Sequence, residues 1–181
     1  MRALVVYESM YGNTHVVASD VADGLRATHA VILVPVADAT AELVASADLL
    51  VVGAPTHMHS LPRAATRRMA ADAACKNPSD QWLDPAIIGP GIRDWLGGLG
   101  RRPALAAAFD TRLNGVPLVT GRASRVIGRL LRRHGYRLVV APESFLVSRQ
   151  NTLLDGEASR ARSWGAALGV AAGRLSSPAL A

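Results

Sequence analysis

Residues 5–14 have the sequence Val-Val-Tyr-Glu-Ser-Met-Tyr-Gly-Asn-Thr, in which an apolar run leads into a polar loop. Residues 3–7 predict a strand buried on both faces, and apolar residues at helical spacing follow the loop. Backbone N–H groups at the start of a helix are unpaired and, with the helix dipole, attract anions. The stretch therefore predicts a phosphate site, although a plain strand-to-helix connection with a threonine near the helix start would have a similar sequence.

The loop chemistry favours a phosphate held by hydrogen bonds alone. Ser9 and Thr14 supply hydroxyl groups, and Gly12 allows the backbone to turn and to approach a ligand closely. The loop has neither the lysine of a P-loop nor the spaced glycines of the dinucleotide fingerprint. Nucleoside triphosphates and NAD are therefore disfavoured.

This stretch resembles the phosphate loop of flavodoxins, in which Thr or Ser, two variable residues, Gly, one variable residue and Thr follow one another. The resemblance implies FMN as the cofactor. It places the FMN phosphate on six consecutive residues: Ser9, Met10, Tyr11, Gly12, Asn13 and Thr14.

The rest of the chain alternates apolar strands with helices, which predicts an α/β fold with a parallel sheet. The predicted strands are residues 3–7, 31–34, 49–53, 104–109, and 138–141 continuing after Pro142 to residue 147. We expect a flavodoxin-like, doubly wound, five-stranded parallel sheet of order 2-1-3-4-5 with helices on both faces. That order places a ligand beyond the carboxyl ends of strands one and three.

Helix signals fill the intervals between these strands. The first helix has Val16, Val17, Val21, Ala22 and Leu25 on one apolar face. Asp38 is the predicted N-cap of a short helix that ends near residue 47, and Pro62 is predicted to begin a helix to about residue 74. Further helices are predicted at residues 92–96, at 121–134 with Gly135 as the stop, and at 156–175.

The alternation lapses at residues 75–102, which we interpret as an insertion in one domain of residues 1–175, with a tail at 176–181. Trp82 and Trp95 are expected to anchor the insertion to the core, the alternatives being a flavin cover or a partner surface. Cys75 is the only cysteine, which excludes an internal disulfide and a cysteine-built metal site.

Two further segments complete the predicted crevice. Residues 53–56 resemble the flavodoxin loop that lies against the ribityl chain and the isoalloxazine ring, and residues 109–112 take the place of the loop on the other side of the ring. The resemblance implies that the ring lies between two groups of residues: Pro55, Thr56, His57 and Met58 on one side, and Phe109, Asp110, Thr111 and Arg112 on the other.

The ring environment departs from the family pattern. Many flavodoxins place the ring between a Trp and a Tyr, whereas this chain has His57, Met58 and His59 in one loop and Phe109 in the other. Arg112 or a protonated histidine would favour the anionic reduced flavin, so we expect a less strongly reducing flavin than in acidic flavodoxins. His57 and His59 lack a carboxylate or a third ligand, so no metal site is predicted.

The chain is basic, with a formal net charge of +6 and a pI of about 10.6. Such a balance favours acidic partners or anionic membrane surfaces. A predicted basic ridge lies on the helix predicted at residues 121–134, opposite a buried side formed by Val126, Ile127, Leu130 and Leu131. The members of the ridge are Arg122, Arg125, Arg129, Arg132 and Arg133. The ridge is either a solvated face or a docking site for a redox partner protein or a peripheral membrane; nucleic acid is disfavoured.

We therefore expect an FMN-binding, flavodoxin-like electron-transfer protein without a catalytic side chain. One alternative is an enzyme, an FMN-dependent oxidoreductase that uses a quinone and is similar to the menaquinone-dependent protoporphyrinogen oxidases. The other alternative is a flavin-free binding module. A cytoplasmic location is expected, since the sequence has neither a secretory signal nor an apolar run of membrane-spanning length.

Overall fold

Strands and helices alternate along the chain, as the sequence predicts. The computed structural model describes residues 1–57, 59–63, 65, 67–68, 89–116 and 120–176. The strands are β1 (Arg2–Tyr7), β2 (Ala30–Pro35), β3 (Leu49–Pro55), β4 (Leu105–Leu113), β5 (Arg137–Leu138) and β6 (Glu143–Val147). The described helices are α1 (Asn13–Leu25), α2 (Ala41–Ser46), α3 (Ile92–Gly97), α4 (Ala123–Arg133) and α5 (Glu157–Ser176), with a 3₁₀ turn at Val36–Asp38.

The strands form one parallel sheet of order β2-β1-β3-β4-β5, with β6 also paired to β4. This confirms the predicted order 2-1-3-4-5. The fifth strand is split, because Ala106 pairs with Leu138 but Phe109 pairs with Glu143. The four residues 139–142 therefore lie opposite only two residues of β4, 107 and 108. Pro142 contributes to the break, because a proline has no N–H to donate to a neighbouring strand.

Helices cover both faces of the sheet, and alternate residues of β1 show how. Leu4 and Val6 belong to the core cluster that contains residues of α2, α3 and α4. Val5 and Tyr7 belong to the opposite cluster, which contains residues of α1 and α5. The continuous apolar run in β1 thus reflects burial on both faces.

Helices α1 and α5 approach each other through glycines. A Cβ added at Gly24 would overlap the carbonyl oxygen of Arg162, and one added at Gly165 would overlap the carbonyl oxygen of Val21. The backbones can lie this close only because neither glycine has a side chain. The contact fixes α1, and with it the loop that precedes α1.

Two helix details differ from the prediction. Val16 is 48% exposed, whereas Val17, Val21 and Leu25 are buried, so the apolar face of α1 is rotated away from Val16. Asp38 is not the N-cap of α2, because it ends the 3₁₀ turn; Thr40 takes that position, and its hydroxyl accepts from the Leu43 N–H at 3.3 Å.

The predicted stop of α4 at Gly135 is confirmed. Gly135 has a φ of +87°, and its N–H donates to the carbonyl of Arg132. The next N–H, of Tyr136, donates to the carbonyl of Leu131. This is the hydrogen-bond pattern of a Schellman motif, in which a left-handed glycine ends the helix.

The predicted end of the fourth strand at residue 109 is wrong, because β4 continues to Leu113. Its pairing with β3 extends to Thr111, and its pairing with β6 extends from Phe109 to Leu113. Strand β6, the second half of the split fifth strand, is the additional partner that keeps Phe109 to Leu113 in the sheet.

Part of the predicted insertion lies outside the described residues, namely 75–88 with Cys75 and Trp82, as do most of the helix predicted after Pro62 and residues 177–181 of the tail. In the described part, Trp95 of α3 packs against the core. Its indole N–H donates to the carbonyl of Ala39 at 3.0 Å.

Candidate functional site

A crevice of about 620 Å³ lies at the carboxyl edge of the sheet, where β1, β3, β4 and β6 end. Its volume is within the usual range for small-molecule sites. Residues from several loops line it: Met10, Tyr11, Asn13, Thr14, Pro55, Thr56, His57, His59, Thr111, Arg112, Leu113, Thr120, Val147, Arg149 and Asn151. The structure thus brings the three predicted segments together at one place.

The loop from Ser9 to Thr14 forms the first wall of the crevice. Gly12 has a φ of +84° and immediately precedes α1, so the turn into the helix requires the left-handed conformation that glycine adopts without strain. The Ser9 side chain is fully buried, and its hydroxyl accepts from the Gly12 N–H at 3.1 Å. Ser9 therefore shapes the loop, and Ser9 and Gly12 do not line the crevice.

Two hydrogen bonds fasten this loop to neighbouring elements. The Thr14 and Thr111 hydroxyl oxygens are 2.7 Å apart, which joins the start of α1 to β4. The Asn13 side-chain amide donates to the carbonyl of Asn151 at 2.7 Å, which joins the loop to the turn after β6. Asn151 adopts a φ of +57°, a conformation that asparagine tolerates better than most residues.

The turn after β6 was not predicted as part of the site. Val147, Arg149 and Asn151 line the crevice there. The sequence contains a usable signal, because polar residues 148–151 directly follow a strand, and parallel strands end at the same edge of a sheet.

The β3 exit forms the second wall, where His57 and Ser60 pair with each other. The N–H of His57 donates to the carbonyl of Ser60 at 2.9 Å, and the N–H of Ser60 donates to the carbonyl of His57 at 3.1 Å. His59 has a φ of +68°, and a Cβ added at Gly121 would overlap the His59 backbone. These residues therefore lie between β3 and the segment that leads into α4.

Burial lowers the pKa of His57, which favours the neutral imidazole in the crevice wall. His57 is thus a weaker source of positive charge than the sequence suggested. His59 is exposed at the crevice, and Met58 lies outside the described residues.

Arg112 is the fixed cation of the third wall. Its side chain is 9% exposed, and one guanidinium nitrogen, Nη1, donates to the carbonyls of Leu113 and Gly115 and to the Thr120 hydroxyl at 2.9–3.1 Å. All three acceptors are uncharged. The Nε atom is buried without a hydrogen-bond partner among the described residues. Arg112 therefore presents a positive charge that these contacts do not neutralise.

Phe109 and Asp110 do not line the crevice, contrary to the expectation for the third segment. The Phe109 ring is fully buried in the core, with its centroid 6.1 Å from that of Phe145 and 6.2 Å from that of Trp164. Its strand position turns it toward α5, since successive side chains in a strand face opposite sides of the sheet.

Asp110 lies behind the wall, fully buried. Its Oδ2 accepts from the Thr56 hydroxyl at 3.1 Å and from the Ser124 N–H at 2.7 Å, and its Oδ1 has no partner among the described residues. Burial raises the pKa of this carboxyl, although the hydrogen bonds oppose the shift.

Comparison with known proteins agrees with this geometry. A family model of the flavodoxin domain matches residues 4–68, about a third of the chain, which includes β1, the loop and the β3 exit. A flavodoxin from the domain Archaea superposes with a TM-score of 0.64 at 16% identity over 96% of this chain and 99% of that one. The chain has a flavodoxin-like fold.

Two further solved structures show the same flavodoxin-like fold. Oxidised Flavodoxin 1 from Bacillus cereus gives a TM-score of 0.62 at 19% identity, covering 93% of this chain and 97% of that one. A flavodoxin, WrbA-like protein from Agrobacterium tumefaciens gives a TM-score of 0.56 at 24% identity, covering 96% of this chain and 98% of that one. No curated protein matches the chain by sequence.

The surface of this flavodoxin-like chain carries the predicted arginines of α4, with one correction. Arg125, Arg129, Arg132 and Arg133 are exposed, opposite the buried Ile127 and Leu131. Arg122 instead precedes the helix, and its guanidinium donates to the Pro142 carbonyl and the Ser144 hydroxyl at 3.1 Å. The basic ridge therefore consists of the four exposed arginines.

The described residues of this flavodoxin-like chain contain no group of three or more His, Cys, Asp or Glu residues that could hold a metal ion. No helix among them is long and apolar enough to cross a membrane.

Proposed function

We propose that the chain binds FMN in the crevice and carries electrons between redox partners. The observation that carries this proposal is the position of the polar loop at residues 9–14, which joins β1 to α1 at the edge where β3 and β4 also end. Bound FMN supplies reversible electron transfer, and the protein supplies binding and electrostatics.

The residues fit an anionic cofactor of this size. In the proposal, the loop from Ser9 to Thr14 holds the phosphate, with Ser9 and Gly12 setting the loop shape. Pro55, Thr56 and His57 line one wall of the crevice and Thr111 and Arg112 line another, so these residues would hold the ring. Phe109 and Asp110 support these walls from behind, and the contribution of Met58 stays a prediction.

Arg112 supports the redox part of the proposal. The two-electron reduced flavin is anionic at neutral pH. The hydrogen-bond partners of the Arg112 guanidinium among the described residues are uncharged, so its positive charge attracts such an anion in addition to acting on the Glu157 carboxylate. The proposed carrier is therefore less strongly reducing than a flavodoxin with an acidic crevice.

The basic ridge favours an acidic redox partner. Four exposed arginines on one helix give a positive surface, and complementary charge raises the rate at which two proteins meet. We propose that a redox protein with an acidic surface docks on Arg125, Arg129, Arg132 and Arg133.

Titration of the apo-protein with FMN and with riboflavin tests the cofactor assignment. Charge-assisted hydrogen bonds to the phosphate should make FMN bind about 100-fold or more tightly than riboflavin, which lacks the phosphate. The variant Gly12→Ala, strained at a φ of +84°, should lose much of this preference, whereas Gly173→Ala in α5 should retain it, since an added Cβ meets nothing within 4 Å there.

Three results would change the proposal. Equal affinity for FMN and riboflavin would exclude a phosphate site, and no flavin binding at all would favour the binding-module alternative. Steady turnover of a quinone by the reduced protein would favour the oxidoreductase alternative over a carrier.

A further inference from the structure

A buried hydrogen-bond cluster lies behind the Thr56 wall of the crevice. The Thr56 Oγ1 atom is 3.1 Å from Asp110 Oδ2 and 2.8 Å from the backbone nitrogen of Ala123. The same Oδ2 accepts from the backbone N–H of Ser124 at 2.7 Å. The cluster therefore joins the exit of β3, the middle of β4 and the first turn of α4.

The donors in this cluster determine where the Thr56 proton lies. A hydroxyl has one hydrogen and two acceptor lone pairs, whereas a backbone N–H only donates. Because Ala123 donates to Thr56 Oγ1, the contact to Asp110 is the one that Thr56 makes as a donor. The Thr56 hydroxyl proton thus points at Asp110 Oδ2.

An ionised carboxyl has no proton to donate, so Asp110 Oδ2 accepts from both Thr56 and Ser124. With its proton directed at Oδ2, the Thr56 hydroxyl keeps its second lone pair for a ligand. A proton on Oδ2 would reverse the Thr56 contact, so the arrangement belongs to the ionised form of Asp110.

We propose that Asp110 is a positioning residue that holds the Thr56 hydroxyl as a hydrogen-bond acceptor, not a donor, for a ligand in the crevice. Thr56 lines the crevice, whereas Asp110 does not. The crevice then selects a ring edge that presents an N–H group at Thr56 over one that presents a bare nitrogen or a carbonyl oxygen, because an acceptor facing an acceptor is unfavourable.

The inference rests on the proposed FMN site for its ligand. Two-electron reduction converts a bare ring nitrogen of the flavin into an N–H group, so an enforced acceptor favours the reduced form. Asp110 and Arg112 then act in the same direction, one through hydrogen-bond geometry and the other through charge.

Asp110 also connects the crevice with the basic ridge. Arg122, the residue before α4, provides no side-chain cap, and the first two N–H groups of the helix donate to Thr56 and Asp110 instead. A carboxyl at this end also interacts favourably with the helix dipole. The wall at Thr56 and the ridge helix are therefore fixed to each other by one side chain.

Affinities of oxidised and reduced FMN for a set of variants test the positioning role. Asp110→Ala and Thr56→Val should each weaken binding of reduced FMN about tenfold more than that of oxidised FMN, since a net hydrogen bond is worth about that factor. Tenfold corresponds to a two-electron midpoint about 30 mV more negative. Asp110→Asn keeps an acceptor at Oδ2 and Thr56→Ser keeps the hydroxyl, so both should retain the wild-type ratio.

The outcomes separate this inference from the proposed function. An unchanged affinity ratio in Asp110→Ala and Thr56→Val, or an equal shift in Asp110→Asn, overturns the positioning role while FMN binding stands. If the wild-type protein binds no FMN, the proposed function fails, and unfolding of the apo-protein still decides the Asp110–Thr56 link. In unfolding of the apo-protein, the effects of Asp110→Ala and Thr56→Val on the unfolding equilibrium constant should be non-additive by about tenfold. Additive effects would overturn the Asp110–Thr56 link.

A fold defect in Asp110→Ala does not block the test. Comparing Thr56→Val with Thr56→Ser still compares a crevice wall that lacks the hydroxyl acceptor with one that keeps it. Asp110→Asn replaces the carboxyl with an amide of the same shape. Loss of the reduced-FMN preference in Thr56→Val alone supports the role, and its persistence overturns it. Thr56→Val with Asp110→Leu, which fills the position of the carboxyl without an acceptor, supplies the unfolding cycle in that case.

Discussion

Gly53 of β3 lies directly against the ring of Phe109 in the neighbouring strand β4. The two residues are paired in register, and a Cβ added at Gly53 would overlap the far end of the Phe109 ring. The ring belongs to the core cluster shared by α1 and α5. The glycine at the end of β3 is therefore required by the packing of an aromatic side chain, in addition to any closeness to a ligand.

Gly53→Ala should destabilise the protein by about 1–3 kcal/mol, because it over-packs a filled core. Urea unfolding measures the loss. Gly173→Ala is the matched control: the added methyl meets nothing within 4 Å in helix α5, so stability should stay the same or rise slightly. Adding Phe109→Leu to Gly53→Ala should recover part of the loss, and a Gly53→Ala protein as stable as wild type would contradict the packing argument.

Phe109 also shows where sequence reasoning reached its limit. Residues 3–7 are apolar without interruption, so a buried parallel strand, its loop and the sheet order could be predicted from composition and alternation. The end of β4 could not, because Phe109 to Leu113 stay in the sheet only through pairing with β6, a partner more than 30 residues later.

The Asp110 contacts could not be predicted from the sequence for the same reason, since they join residues that are far apart in the chain. An aspartate after an apolar run is typical of a turn, and nothing in the sequence places it against the Thr56 hydroxyl and the Ser124 N–H. Arg112 lines the crevice because it lies near the edge that the strand order defines, and its role toward a cofactor stays a prediction.

Arg112→Gln should make the two-electron midpoint potential of bound FMN more negative. A positive charge near the ring stabilises the anionic reduced form by about 1–2 kcal/mol at a partly solvated site, which corresponds to about 20–40 mV. Anaerobic reductive titration measures the potential. Arg125→Gln on the exposed ridge is the control and should leave it unchanged.

A midpoint potential that is unchanged or more positive in Arg112→Gln would show that the Arg112 charge does not act on the flavin. The contacts of Arg112 to Leu113, Gly115 and Thr120 also hold the β4 exit. Arg112→Lys, which keeps the charge but has fewer donors, therefore distinguishes an electrostatic effect from a loss of loop order.

Glu8, the residue before the loop at residues 9–14, forms a buried ion pair with Arg67, with Glu8 Oε1 3.6 Å from Arg67 Nη1. Glu8 is 1% exposed, and its Oε2 accepts from the Ile92 N–H at 2.8 Å. Burial raises the pKa of Glu8 above its usual 4.5, while the Ile92 N–H and Arg67 oppose the shift. The folded protein thus holds the Glu8 proton more tightly than the unfolded chain does.

Because the folded pKa is raised, the contribution of Glu8 to stability is fully present below pH 4.5 and is lost as the pH rises through the folded pKa. Arg67→Met should therefore cost about 3 kcal/mol at pH 7, where Glu8 is left without a cation, and much less at low pH, where Glu8 is neutral. Urea unfolding at several pH values checks this.

The double variant Glu8→Gln/Arg67→Met controls for lost packing. Its stability difference from wild type should vary much less with pH than that of Arg67→Met, because it has no carboxyl at position 8. A cost of Arg67→Met that is the same at pH 4 and pH 7 would show that the pair contributes packing and not charge.

The basic ridge predicts a salt-sensitive encounter with an acidic redox protein. Replacing Arg125, Arg129 and Arg133 with Gln should slow electron transfer from a reduced, acidic plant-type ferredoxin to the oxidised, FMN-loaded protein about tenfold at low ionic strength. Stopped-flow absorbance measures the rate. The difference should largely disappear near 1 M salt, where the screening length falls to about 3 Å.

A matched control removes three exposed arginines elsewhere, with Arg2, Arg26 and Arg174 replaced by Gln. Both triple variants lose the same number of positive charges, so a general effect of net charge would slow electron transfer equally in both. Equal rates in the two variants would therefore exclude a docking role for α4.

Binding to vesicles of anionic phospholipid distinguishes a membrane from an acidic protein as the partner. A polybasic surface gains about 1 kcal/mol per residue near an anionic leaflet. If only the ridge variant loses vesicle binding while its ferredoxin rate is unchanged, the arginines face a membrane and not an acidic protein.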